Sequence, residues 1–267
     1  MCEHCGCGVP GAGHAEPHDH DHGHDHTHDH PHPHPHPPAG QSDEDRRTIL
    51  VREGILAKND RIAERNRGYF EAKGVFVLNF LSSPGSGKTT LIERMAADLK
   101  GRLRLGVVVG DLATDNDARR LEAAGVPAVQ ITTGTVCHLD AEMVAGAMTR
   151  LPLDHLDLLI IENVGNLVCP AAFDLGEGMR VVLMSVTEGE DKPLKYPTIF
   201  RDAAAVLLTK TDLTEAAGFD RGTALGNIAR AAPTATVLEV SARTGQGMQA
   251  WYAALEAARA ARVASQR

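Results

Sequence analysis

Aromatic side chains and long apolar segments are both scarce in this sequence. Phenylalanine, tryptophan and tyrosine make up 4% of the 267 residues, and no apolar run approaches the roughly 18 residues needed to span a bilayer. The amino-terminal residues are polar and rich in cysteine and histidine, which argues against a secretory signal. The formal charge of −8 argues against nonspecific binding to nucleic acid. We therefore expect a cytoplasmic protein that binds neither membranes nor nucleic acid.

Cysteine is scarce outside the first seven residues. Three of the five cysteines, Cys2, Cys5 and Cys7, are crowded there, a pattern that suits metal ligation in a reducing compartment better than a disulfide framework. Thiolates select soft or borderline metals, and the α-amino group could add a fourth ligand in a planar arrangement that favours Ni²⁺. The spacing alone leaves Zn²⁺ and Cu⁺ open.

The region 1–41 also contains almost no core-forming side chains. Twelve of the fourteen histidines lie between His4 and His36, where they alternate mainly with aspartate, glycine or proline. Such a composition cannot bury enough apolar surface to fold alone, so we predict a disordered, histidine-rich tail. Imidazoles suit nickel, zinc and copper, which favours a natural metal store or buffer over an expression tag.

The clearest motif is a glycine-rich segment between an apolar run and a predicted helix. The eight residues that begin at Ser82 match the phosphate-binding pattern G-x-x-x-x-G-K-S/T, except that this serine replaces the first glycine. Backbone N–H groups near Gly85 and Gly87 could approach phosphate oxygens. Lys88 could reach the β- and γ-phosphates, and the Thr89 hydroxyl could hold Mg²⁺. The predicted nucleotide-binding residues of this loop are Gly85, Ser86, Gly87, Lys88, Thr89 and Thr90.

Apolar runs of strand length alternate with segments of helical periodicity after this loop. The alternation predicts an α/β domain of the P-loop NTPase type, with a mostly parallel sheet flanked by helices. Further strands are predicted at 105–109, 158–161, 181–186, 206–209 and 236–240, and helices at 116–124, 139–149, 222–231 and 246–261. We predict three regions, namely the tail 1–41, a helical lead-in 42–70 and a nucleotide-binding domain 71–267.

Acidic residues follow two of the predicted strands, at the sheet edge where ligands of such folds bind. Asp111 is a candidate for ligating Mg²⁺ or orienting the attacking water, and Asp115 is a second candidate that could equally cap a helix. Glu162 is followed by Gly165 at the spacing of a γ-phosphate sensor. Lys88, Asp111 and Glu162 are therefore the predicted catalytic residues.

The last two predicted strands end in residues that suit a guanine base. Asp212 could accept hydrogen bonds from guanine N1–H and N2–H₂, whereas adenine would present an unfavourable edge. Lys210 could pack along the base, and the backbone around Ser241 and Ala242 could meet the guanine oxygen. Because all these segments follow strands in the expected order, they predict GTP rather than ATP as the ligand.

The predicted domain contains only two cysteines, Cys137 and Cys169, and His138 adjoins the first. A buried cysteine is usually structural. However, Cys169 lies close in sequence to Gly165, where a metal ligand would respond to nucleotide-dependent loop movement. Three ligands do not comfortably close a site, so a second copy across a two-fold axis, or water, would complete it. We predict a second metal site here.

Taken together, these motifs resemble the HypB family of hydrogenase-maturation nickel GTPases. The resemblance covers the chain from Gly74 onward, together with the extreme amino terminus. It is carried by the C-x-x-C-G-C motif, the histidine tract, the phosphate-binding segment, Cys137-His138-Leu139-Asp140 and the segment 162–170.

The resemblance implies metal sites and partners. It assigns a tight nickel site to the three amino-terminal cysteines. It also assigns a weaker Ni²⁺ or Zn²⁺ site, at a nucleotide-linked homodimer interface, to Cys137, His138 and Cys169. The implied partners are the nickel chaperone HypA and the hydrogenase large-subunit precursor.

We therefore expect a slow GTPase that uses Mg²⁺ and couples its triphosphate state to dimerisation and to nickel release into an apo-hydrogenase. Two alternatives stay open. One is a metal-storage protein with a vestigial nucleotide domain, and the other is a urease-type accessory GTPase. The two cysteine motifs argue against the urease-type alternative.

Overall fold

Within residues 43–112 and 116–265, which the computed structural model describes, seven parallel strands form one sheet. The strands are β1 (Phe76–Ser82), β2 (Leu105–Asp111), β3 (Ala128–Thr132), β4 (Leu158–Glu162), β5 (Met179–Ser185), β6 (Ala205–Thr209) and β7 (Thr236–Glu239). Their order across the sheet is β3-β2-β4-β1-β5-β6-β7, and each neighbouring pair is parallel. β1 therefore lies at the centre, and every one of its residues is buried.

Helices precede and separate the strands. They are α1 (Asp43–Lys73), α2 (Lys88–Leu99), α3 (Asn116–Ala123), α4 (Ala141–Met148), α5 (Lys192–Lys195), α6 (Pro197–Arg201), α7 (Arg221–Ala231) and α8 (Met248–Ser265). The sheet lies in a compact unit that begins at Leu56. Among the described helices, none is long and apolar enough to cross a membrane.

The core lies on both faces of the sheet because the side chains of β1 alternate between them. Phe76, Leu78 and Phe80 pack with α2 and α8 on one face, whereas Val77 packs with α4 on the other. The single tryptophan, Trp251 of α8, is fully buried, and its ring centroid lies 6.4 Å from that of Phe80. This layered arrangement confirms the predicted α/β class.

Three details differ from the sequence prediction. The pattern misses β3, because most of this edge strand is only partly buried and Gln130 interrupts its apolar run. α4 begins at Ala141 rather than at residue 139, because the Asp140 carboxylate caps it by accepting from the Met143 N–H at 2.8 Å. The short helices α5 and α6 are also missed, since each has a proline in its first turn and neither is long enough to show periodicity.

Candidate nucleotide and metal site

The phosphate loop, defined as residues 82–89, joins the central strand to a helix. β1 ends at Ser82, and α2 begins at Lys88. Gly85 and Gly87 have φ angles of 73° and 97°, which other residues rarely adopt. Gly87 is the N-cap of α2 and supplies no side-chain acceptor, so the helix offers its first N–H groups and positive dipole end at the loop. This arrangement is suited to binding a phosphate group.

Ser82 holds the phosphate loop together, although the general pattern has glycine at its position. Its side chain is wholly buried, and its hydroxyl donates to the Ser83 carbonyl at 2.7 Å. The same oxygen accepts from the Ser86 hydroxyl at 2.6 Å and from the Lys88 ammonium at 2.8 Å. The serine therefore supplies a partner for the lysine that glycine could not.

Lys88 and Glu162 are buried groups of opposite charge beside the loop, exposed by 8% and 4%. Burial lowers the pKa of Lys88, and the nearby Glu162 opposes that shift. Burial also raises the pKa of Glu162 to about 7, against the effects of Lys88 and the Thr89 hydroxyl.

The oxygen atoms at this point fit a hydrated Mg²⁺. The Thr89 hydroxyl donates to Glu162 Oε1 at 2.8 Å. The second carboxylate oxygen, Oε2, is buried and has no hydrogen-bond partner among the described residues. A hydroxyl beside an unmatched carboxylate oxygen is a donor set of the type that Mg²⁺ prefers.

The sensor loop, defined as residues 162–166, contacts the phosphate loop through Gly165. A Cβ at this glycine would lie 2.9 Å from Pro84 Cα and 3.0 Å from its nitrogen. Because these are backbone atoms, only glycine permits the approach. The Asn163 N–H also donates to the Phe80 carbonyl of β1 at 3.1 Å. The predicted γ-phosphate sensor is therefore packed directly on the phosphate loop.

An open cavity of about 460 Å³ lies between these loops. Asp111, at the end of β2, lines it, whereas the second acidic candidate, Asp115, lies outside the described residues. Asp117 and Arg120 of α3 line it as well. The sequence placed Asp117 in the acidic segment that follows β2, whereas sequence reasoning missed Arg120. Arg120 donates to Glu93 at 2.7 Å and to Asp117 at 3.2 Å. The only sequence signal for Arg120 is its spacing from Asp117 on α3, and many exposed helices show the same spacing.

A second cavity, of about 260 Å³, shares lining residues with the first and contains the predicted base-reading groups. Lys210, Asp212 and Ala242 line it. The Ser241 hydroxyl donates to Asp212 Oδ1 at 2.6 Å, and the Lys210 ammonium donates to the Gly85 carbonyl at 2.7 Å. The structure thus places the predicted guanine-binding residues next to the phosphate loop.

Thr209 lines the second cavity and contacts the phosphate loop, and sequence reasoning did not assign it this contact. It is buried at the end of β6, and its hydroxyl donates to the Ser86 carbonyl at 2.7 Å. This bond fastens the phosphate loop to the strand that leads to Asp212. No local signal predicts it, because the two residues are 123 positions apart.

Cys137, His138 and Cys169 come together as a group that we call the inner metal cluster. The first two lie in the loop between β3 and α4, and Cys169 begins a 3-10 turn after the sensor loop. The two sulfur atoms are 2.6 Å apart, and one potential ligand atom from each residue lies within 4.8 Å of the others. The structure therefore brings the three predicted ligands to one place.

His138 is held in a state that suits metal binding. Its ring stacks on Phe173 with centroids 3.9 Å apart and planes 22° apart. Its Nδ1 atom is buried without a hydrogen-bond partner among the described residues, and burial lowers the pKa of the imidazole against the effect of Asp140. A neutral imidazole beside two thiols is a donor set that fits Ni²⁺ or Zn²⁺.

The amino-terminal metal ligands predicted from the sequence are not covered by the structure. Cys2, Cys5, Cys7 and the histidine tract lie outside the described residues. The metal site predicted there stays a prediction.

Comparisons with known proteins agree with the geometry. The family model for the CobW/HypB/UreG nucleotide-binding domain matches residues 76–239, which include the phosphate loop, the sensor loop and the inner metal cluster. The chain is 54% identical to the hydrogenase maturation factor HypB of Rhizobium leguminosarum bv. viciae, over 84% of this chain and 74% of that protein. It is also 54% identical to HypB of Azotobacter vinelandii, over 81% of this chain and 72% of that protein. The crystal structure of HypB from Helicobacter pylori in complex with nickel has a TM-score of 0.74 and 42% identity, covering 77% of this chain and 96% of that one.

Proposed function

Because the chain belongs to the HypB family of hydrogenase maturation factors, within the CobW/HypB/UreG group, we propose that it is a GTPase that binds Ni²⁺ and delivers it to the large-subunit precursor of a NiFe hydrogenase. In this account GTP is the substrate and Ni²⁺ is the cargo. The observation that carries the proposal is that the sensor loop, packed on the phosphate loop, leads directly into the turn that begins at Cys169.

The nucleotide chemistry would depend on positioning and charge. When GTP binds, its phosphates would replace the Ser82 hydroxyl as the partner of Lys88, whose charge would then stabilise the γ-phosphoryl group. Gly85, Ser86, Gly87, Thr90 and Gly165 would contact the phosphates mainly through backbone N–H groups. Mg²⁺, held through Thr89 with Asp111 or Glu162 nearby, would supply further positive charge on the phosphate oxygens. Arg120 is engaged by two carboxylates, so we expect slow turnover.

Recognition of guanine would depend on the second cavity. Ser241 fixes one oxygen of the Asp212 carboxylate, so the other oxygen is available to the base. Lys210 would cover the ring with its aliphatic stem, and the Ala242 backbone would meet the guanine oxygen. This set supports GTP over ATP, since adenine offers no matching pair of donors.

The metal site would be completed between two copies of the chain. Three ligands leave a site open, and a two-fold axis beside the inner metal cluster would supply a second set. Such a homodimer would cover two exposed apolar residues. Val168 lies next to the inner metal cluster, and Leu112 lies at the open cavity beside the phosphate loop. We expect the nickel chaperone HypA as the donor and the hydrogenase precursor as the acceptor.

The test of the proposed metal site compares the two histidines of the domain. In the full chain with Cys2, Cys5 and Cys7 replaced by serine, the thiolate-to-nickel absorption band reports only Cys137 and Cys169. We expect His138→Ala to weaken Ni²⁺ binding in this band by about 100-fold or more, because it removes a ligand rather than a supporting group. GTP binding should be unchanged.

His155→Ala is the matched control, because His155 is exposed and lies in a 3-10 turn apart from the three clustered ligands. It should leave the nickel titration unchanged. Equal nickel affinities for the two variants would contradict the inner metal site, while the GTPase assignment would stand on its own measurements.

A further inference from the structure

Asn163 occupies a buried position directly behind the phosphate-facing part of the sensor loop. It is 1% exposed and follows Glu162, the last residue of β4. Its Oδ1 atom accepts from the N–H of Leu139 at 3.3 Å and of Val164 at 2.9 Å. Its Nδ2 atom donates to Asn79 Oδ1 at 3.3 Å. One amide group thus bonds to the sensor loop, to the central strand and to the loop before α4.

The bond from the Leu139 N–H to Asn163 is the first arm of this hydrogen-bond network, and it ends beside a ligand of the inner metal cluster. Leu139 immediately follows His138 and is wholly buried in the core. A movement of the Asn163 amide would therefore act on the backbone next to the histidine, because the buried leucine side chain leaves little room for a compensating shift.

The second arm, which starts with the bond from Asn163 to Asn79, passes through a partly buried ion pair to the segment after Cys169. Asn79 Nδ2 donates to Glu177 Oε1 at 3.2 Å, and Arg180 Nε donates to the same oxygen at 2.6 Å. The Arg180 guanidinium also donates to the carbonyls of Ala171 at 3.2 Å and Phe173 at 3.0 Å. These carbonyls belong to the segment that carries the second cysteine of the cluster.

The two arms meet again at the metal cluster. Phe173, held by the second arm, stacks on His138, which lies next to the end of the first arm. Buried polar networks of this kind have few alternative arrangements, because an unmatched buried donor or acceptor costs the full desolvation penalty of that group.

We propose that Asn163 is the positioning residue that ties the state of the phosphate-facing loop to the geometry of the inner metal cluster. The inference rests on the proposed function, since it specifies how one site responds to the other. When the sensor loop moves, the Asn163 amide moves with it, and both ligand-bearing segments follow through hydrogen bonds. Asn163 lines the open cavity beside the phosphate loop, but its amide group is engaged by protein groups and it is not one of the clustered metal ligands.

Asn66 provides a matched control. It is also 1% exposed, and its amide donates to the carbonyls of Ala141 at 2.8 Å and Leu175 at 3.3 Å. These bonds support the same region of the metal side from α1 and do not include the sensor loop. Asn66→Ala should therefore disturb local packing about as much as Asn163→Ala without cutting the connection.

The experiment measures thiol reactivity in the metal-free full chain with Cys2, Cys5 and Cys7 replaced by serine. The alkylation rate of Cys137 and Cys169 by iodoacetamide is compared between GDP and a non-hydrolysable GTP analogue. In the parent protein we expect the two rates to differ by at least about fivefold. Asn163→Ala should bring their ratio to about one while GDP affinity stays within about threefold, and Asn66→Ala should retain the parent ratio.

A second variant covers the case in which Asn163→Ala does not fold. Asn79→Ala removes only the second arm. The logarithm of the ratio between the two alkylation rates should therefore fall to about half of its parent value or less. An unchanged ratio in whichever variant folds overturns the inference, as does an equal loss in Asn66→Ala. A ratio of about one in the parent protein overturns the coupling within the proposed function, and the inference with it.

Discussion

Replacing Asp212 with asparagine is expected to change which nucleotide the protein binds. In the native site, the Ser241 hydroxyl donates to Asp212 Oδ1, so an asparagine would keep its oxygen towards the serine and turn its NH₂ group towards the base. That group cannot accept from guanine N1–H and N2–H₂, but it can donate to the 2-oxo group of xanthine. We expect GTP affinity to fall by about 100-fold or more, since two charge-assisted hydrogen bonds are lost, and XTP affinity to rise.

Competition binding with GTP, XTP and ATP measures this exchange of preference. Asp202→Asn is the matched control, because Asp202 is an exposed aspartate at the end of α6, before the strand that leads to the pocket. A simple loss of folding cannot produce a gain for XTP. An Asp212→Asn protein that still prefers GTP would contradict the assignment of the base pocket.

Replacing Lys88 with alanine is expected to abolish GTP turnover. Lys88 is buried at the open cavity beside the phosphate loop, and its ammonium group donates to the Ser82 hydroxyl. Its charge would stabilise the γ-phosphoryl group during hydrolysis. The other cations near this loop have partners of their own, since Arg120 is held by Glu93 and Asp117 and Lys210 donates to the Gly85 carbonyl. We expect the turnover rate to fall by about 100-fold or more, a magnitude typical for loss of one preorganised electrostatic group.

Phosphate release under saturating GTP measures the rate. Lys100→Ala is the control, since Lys100 is an exposed lysine just after α2 and away from the cavity. Because the charge of Lys88 opposes the effect of burial on Glu162, its replacement should raise the pKa of that carboxyl further. A Lys88→Ala protein that turns over GTP at the native rate would show that the phosphate loop is not the hydrolytic site.

The sequence predicted the parts of this molecule that depend on neighbouring residues. The phosphate loop is recognisable because Gly85, Gly87 and Lys88 lie close together in the sequence, in one turn and at the start of the helix that follows it. Six of the seven strands follow from local periodicity, and the sheet confirms them. Asp212 and Glu162 were assigned from their places after strands, which the topology brings to one edge.

The parts that were missed depend on contacts between distant segments. The bond from Thr209 to Ser86 and the two arms from Asn163 join residues that are far apart in the chain. Ser82 looked like a departure from a pattern, and only its buried bond to Lys88 shows what it contributes. Strand β3 was missed for a related reason, because an edge position weakens the apolar signal.

The closeness of Cys137 and Cys169 is the link between the two predicted sites. The sequence suggested it because these are the only two cysteines of the predicted domain and His138 adjoins one of them, and the structure brings the two sulfur atoms to 2.6 Å. Any movement of the sensor loop must therefore be accommodated within a tightly packed group of ligands. That is the physical reason to expect metal affinity to depend on the nucleotide.

The most direct test is the Ni²⁺ affinity of the full chain with Cys2, Cys5 and Cys7 replaced by serine, measured with GDP and with a non-hydrolysable GTP analogue. We expect dissociation constants that differ by at least about fivefold. Nickel should change the relative affinity for the two nucleotides by the same factor, because such coupling is reciprocal. Equal nickel affinities in the two nucleotide states would contradict it.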